Sequence, residues 1–103
     1  MNINPRAVDV MVGLLTIELL VRGSRSLKVK RAVLRRLKER IRNRCNVSIS
    51  ETAFQNDHQR SVVSIASVSE GPEQVDITLD RAEQEAMQVL GDDLIRAERV
   101  VIV

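Results

Sequence analysis

The chain has 103 residues, 44% of them apolar and 29% charged, with a formal net charge of +2. That length suits one domain with one core, about two-thirds of its unfolded surface being buried without disulfide or metal staples. One Phe and no Trp or Tyr exclude most base-stacking platforms and aromatic cages.

The small net charge conceals a split. Residues 1–50 hold 12 Lys/Arg against 3 Asp/Glu, whereas residues 51–103 hold 4 against 11. A single cysteine, Cys45, rules out an intramolecular disulfide and points to a reducing, cytoplasmic setting.

Residues 1–9 show no period and read as a loose extension, with Met11 as an alternative start; residues 10–103 form the domain. From Val10 to Val21 the chain is rich in Leu, Ile and Val, with Leu15, Ile17, Leu19 and Val21 alternating. The run is too short to span a bilayer, contains Glu18 and leads into no small-residue cleavage site. It reads as a central strand, and no membrane partner is expected.

Arg22-Gly-Ser-Arg-Ser26 is a turn offering Ser24 and Ser26 as helix N-caps. A helix follows to about Asn43. Its wheel places Leu27, Val33, Leu34, Leu37 and Ile41 on a core stripe. Lys28, Arg31, Arg35, Lys38 and Arg42 fall on one exposed flank, with Arg36 and Arg40 on the other.

Cys45 to Phe54 reads as a second strand, with Val47, Ile49 and Ala53 on one side and Ser48, Ser50 and Thr52 on the other. A polar hairpin loop at Gln55–Gln59 leads to a third strand over Val62–Val68. Gly71-Pro72 opens a second helix, in which Val75, Leu79, Ala82, Ala86, Val89 and Leu90 make the core stripe. Glu73, Asp76, Asp80, Glu83 and Glu85 make an acidic surface. Gly91 ends that helix, and Leu94–Val103 supply the last strand. The order β-α-β-β-α-β, with two amphipathic helices on one face of a four-stranded antiparallel sheet, is an α+β ferredoxin-like sandwich.

The segments Gly13-Leu-Leu, Gly23-Ser-Arg-Ser-Leu-Lys-Val-Lys-Arg31, Asn46-Val-Ser48 and Gln59-Arg60 resemble the YlxP-like family of small bacterial proteins, a domain of unknown function. The likeness covers roughly residues 11–90. It implies the ferredoxin-like fold and a bacterial cytoplasm, and it brings no catalytic residues. Genes of that family often lie beside transcription and translation factors. Its members usually carry an aromatic, often Trp, just before the Gln-Arg pair, where this chain has His58.

Between Arg22 and Arg44 there are 11 Lys/Arg and one acid, Glu39. A helix so charged presents a ridge of positive potential that neutralises phosphates without reading bases. The same charges also suit a complementary pairing with the acidic second helix, where individual surface pairs add little stability. The expected partner is structured or ribosomal RNA, held by Arg22, Arg25, Lys28, Arg31, Arg35, Lys38 and Arg42. RNA-recognition modules of this topology stack bases on sheet aromatics; the first and third strands here contain none, so the expected mode is phosphate and shape.

Gly23, Ser24 and Ser26, at a helix start beside Arg22 and Arg25, form a candidate anion site. Capping alone also explains both serines. The loop is broadly similar to the strand-to-helix loop of acylphosphatases, but no catalytic partner side chain can be placed, and the chain reads as non-enzymatic. His58 and Cys45, a whole strand apart, make neither a metal site nor a catalytic pair; no cofactor is expected. Ile77 and Met87 lie off the apolar stripe, and Phe54 and Leu20 share the open sheet face. A homodimer, or another protein contact through that face or the acidic helix, is the alternative reading.

Overall fold

A computed structural model describes residues 9–102; the N-terminal extension, except for Asp9, and Val103 lie outside the described residues. The elements are β1 (Met11–Leu20), α1 (Leu27–Arg44), β2 (Ser48–Ala53), β3 (Arg60–Ser69), α2 (Pro72–Leu90), a 3-10 turn (Gly91–Asp93) and β4 (Leu94–Val101). The four strands form one antiparallel sheet in the order β2-β3-β1-β4. This is the ferredoxin-like topology expected from the alternation of elements.

The period of two in β1 sets the layers. Gly13, Leu15, Ile17 and Leu19 face the helices and are buried, while Val12, Leu14, Thr16, Glu18 and Leu20 take the open face. Val63 and Ile65 of β3 join Leu34, Leu37 and Ile41 of α1 and Val75, Leu79, Ala82, Ala86 and Leu90 of α2 in the core. At Gly13 helix α2 comes so close that a Cβ would sit 2.4 Å from Val75 Cγ1 and 2.9 Å from Leu79 Cδ1. Only glycine leaves room for that approach.

The helix α1 corrects its expected core stripe. Lys30 is fully buried, whereas Leu27 and Val33 are only partly covered. The Lys30 Nζ donates to Phe54 O at 2.7 Å and Arg60 O at 3.0 Å, and lies 3.1 Å from Glu51 Oε2. Glu51 also accepts from Ser61 Oγ at 2.7 Å. Among the described residues no buried side-chain nitrogen or oxygen is left without a hydrogen-bond partner, which is the condition for burying a charge at tolerable cost.

The ends of β2 also differ from expectation. Cys45 does not start the strand; it closes α1, its N–H donating to Ile41 O at 2.8 Å. Phe54 leaves the strand with φ 62°, a left-handed conformation uncommon outside glycine. Its carbonyl is held there by Lys30 and by the N–H of Asp57 at 3.0 Å. Asp57 Oδ1 in turn accepts from the N–H groups of Gln59 and Arg60, both at 2.8 Å, tightening the hairpin.

Candidate nucleic-acid interface

The helical period brings Arg31, Arg35, Lys38 and Arg42 along the outer flank of α1, beside β2. There they line a shallow groove of about 390 Å³ together with Leu34, Glu39 and Glu51. Glu51 is already neutralised by Lys30, so the groove carries four cations against Glu39. Arg42 Nη2 also donates to Ile49 O at 3.1 Å, fixing its guanidinium at the groove wall. Among the described residues, no carboxylate lies within ion-pair distance of Arg25, Lys28, Arg31, Arg35, Arg36, Lys38 or Arg42.

The acidic helix does not neutralise that flank. Among the described residues its ion pairs with α1 run through Glu85 alone, which lies 2.6 Å from Arg40 and 3.4 Å from Arg44. The hydrogen bond from Arg40 holds the Glu85 carboxyl below its ordinary pKa, outweighing the opposing effect of burial. Asp76, Asp80 and Glu83 instead surround Arg99 of β4, at 3.9, 2.7 and 3.5 Å. The complementary pairing of helices is thus real at one carboxylate, while Asp76, Asp80 and Glu83 serve the sheet.

The other expected contributors separate from the ridge. Arg22 is tied to the far end of the chain, 3.0 Å from Asp93 Oδ1 and donating to Asp92 O. Ser24 is buried and donates to Ser26 O at 2.9 Å. Ser26 is the N-cap of α1, its Oγ accepting from the N–H of Val29 at 3.1 Å. Both hydroxyls therefore serve the turn, and Gln59 Nε2 reinforces it by donating to the carbonyls of Arg22 and Ser24. Gly23, Arg25 and Lys28 are exposed and lie outside the groove lining.

Phe54, the chain's one aromatic, lies with its ring under the Arg60 guanidinium, 4.1 Å from the centroid. The open face offers bases no stacking surface. Cys45 is buried, and burial raises its thiol pKa, so it is a poor nucleophile. Among the described residues no three His, Cys, Asp or Glu side chains gather to hold a metal, and no helix is long and apolar enough to cross a membrane.

Comparison with known structures places the fold. The chain superposes on the de novo designed protein Foldit4 with a TM-score of 0.59 at 13% identity, covering 91% of this chain and 97% of that one. It also matches a C-terminal segment of the alpha subunit of aIF2 from Pyrococcus abyssi, with a TM-score of 0.52 at 14% identity. That match covers 90% of this chain but 49% of the other. These likenesses concern the fold alone. In sequence, the uncharacterized protein YlxP of Bacillus subtilis (strain 168) is 42% identical over 71 residues, 69% of this chain and 77% of the relative. The model of the family described as protein of unknown function (DUF503) matches residues 12–99. Matched from residue 12 in β1 to residue 99 in β4, the chain belongs to the DUF503 family.

Proposed function

We propose that the chain is a non-enzymatic protein that binds structured RNA, ribosomal RNA included, through the outer flank of α1. The observation that carries this reading is the row Arg31, Arg35, Lys38 and Arg42 on one groove, none of them ion-paired among the described residues, while Asp80, Glu83 and Glu85 of α2 are engaged elsewhere. At 1.5 Å per residue the row is about 16 Å long, enough to follow several phosphates. Each contact releases condensed counterions and fixes position without reading sequence. Selectivity then rests on RNA shape, since the chain has no Trp or Tyr and one face of its single Phe is stacked by Arg60.

Filter binding of a structured RNA at low salt tests this reading. Reversing Arg31, Arg35 and Lys38 together to Glu is expected to abolish retention for every RNA tried, while circular dichroism stays native. Unchanged binding by that variant refutes it. The alternative, a protein-interaction module working through the open sheet face or α2, is supported by the exposed Val68 and Val100. Binding that persists after helix reversal but is lost on changing Val68 moves the site there.

A further inference from the structure

The two edges of the sheet are built differently. The six-residue β2 is short, carries a register shift between Glu51 and Ala53, and has its Ile49 carbonyl held by Arg42. Short strands, bulges and covering charges are the usual protections of an edge. The eight-residue β4 is longer, its own register shift is confined to its start at Ile95, and among the described residues no strand pairs with its outer side. Ile95, Val100, Val101 and Ile102 are each about half exposed along it.

The hydrogen-bond phase of that edge follows from its inner pairing. Ile102 N–H donates to Val12 O at 2.8 Å, and Val100, Glu98 and Arg96 oppose Leu14, Thr16 and Glu18 of β1. In an antiparallel ladder such alternate residues direct their N–H and C=O to the same neighbour. Ala97 and Arg99 therefore direct theirs outward. A second antiparallel β4 brought up around a two-fold axis at Ala97 exchanges two N–H···O=C bonds between the Ala97 residues. In that register Arg96 stands opposite the second copy's Glu98, and Glu98 opposite its Arg96. Both pairs fall at non-hydrogen-bonded positions, where side chains come closest. The second copy's Arg99, whose guanidinium is fixed by Asp80 and Glu83, then comes to the start of β4, where the register shift leaves Ile95 unpaired. A two-fold centred on Arg96, Glu98 or Arg99 sets like charges face to face. Among two-folds centred on residues 96–99, only the one at Ala97 sets opposite charges face to face, and the partner it fits is a second copy.

We infer that a second copy of this chain occupies the β4 edge, forming an isologous dimer with a continuous eight-stranded sheet and all four helices on one face. The two basic grooves, each beside β2, then lie on the far sides of the dimer, seven strand spacings or about 34 Å apart. The dimer does not depend on the RNA reading.

Sedimentation velocity of the full chain across a concentration series is the test, at low ionic strength. Arg96→Glu and Glu98→Arg, both at side chains about two-thirds exposed, are each expected to weaken association roughly 10- to 30-fold, since both symmetry-related pairs turn repulsive. The double reversal R96E/E98R restores opposite charges and is expected to recover association to within about threefold by the same pairing rule. A chain that remains monomeric at every concentration overturns the inference. So does a dimer that ignores both single reversals but is lost on Val68→Asp, which is association through the open face.

Discussion

Replacing Lys30 by Met keeps a chain of similar length in the core but removes the ammonium that joins α1 to the β2–β3 hairpin. Three contacts disappear, to Phe54 O, Arg60 O and Glu51 Oε2. Glu51 keeps only Ser61 Oγ as a side-chain donor, with its own side chain 14% exposed. Breaking a buried ion pair at one partner costs about 3–5 kcal/mol, because the other charge is left uncompensated. For a domain of this size that corresponds to a fall in Tm of about 15 °C or more. Lacking Trp and Tyr, the protein is best followed by far-UV circular dichroism in a guanidinium titration. The double variant K30M/E51L removes both charges and is expected to recover about half the loss; the lost hydrogen bond to Arg60 O accounts for the rest, at about 1–3 kcal/mol, since Phe54 O keeps the N–H of Asp57. A Lys30→Met loss under about 1 kcal/mol, far below the expected cost of a broken buried pair, or strict additivity in the double variant, refutes the network.

Three further outcomes follow from the same geometry. Gly13→Ala is expected to lose about 1–3 kcal/mol by overpacking, with partial rescue by Val75→Ala, both read from thermal melts; a neutral Gly13→Ala contradicts the close approach of α2. The hydrogen bond from Arg40 depresses the pKa of Glu85, and the N–H groups of Arg60 and Gln59 depress that of Asp57. Their stabilisation is complete above the ordinary carboxylate pKa of about 4 and is lost as pH falls through the depressed values. Tm should therefore hold from neutrality to about pH 5 and drop below about pH 4, with a shallower drop in Glu85→Gln; equal acid profiles count against the Arg40 pair. The Cys45 thiol should react with a disulfide reagent at pH 8 more slowly in the native than in the unfolded protein, and equal rates contradict its burial.

The layers were readable because hydrophobic period and turn chemistry agreed at each element. The alternation at Leu15, Ile17 and Leu19 and the stripe Val75, Leu79, Ala82, Ala86 both appear buried as expected. Lys30 escaped because a lysine counts as surface in any hydrophobic pattern. Its signal was nonetheless present: it stands three residues from Leu27 and four from Leu34, on the core line, and Glu51 stands between the inward Ile49 and Ala53. Opposite charges at inward positions of facing elements were the clue. Which basic residues remain unpaired was not readable, because Arg40 and Arg42 differ only in the element each faces. Arg40 meets Glu85 of α2, whereas Arg42 meets a carbonyl of β2. Nor does local pattern disclose that Arg22 pairs across 71 residues with Asp93.

The central claim is that the outer flank of α1 is a phosphate-binding surface, and the slope of log K against log salt measures it most directly. With Arg31, Arg35, Lys38 and Arg42 each meeting one phosphate, the slope for a structured RNA should be about −3. Reversal of the first three to Glu should bring it close to zero together with the affinity. A wild-type slope near zero, or the same slope in the reversed variant, contradicts the account.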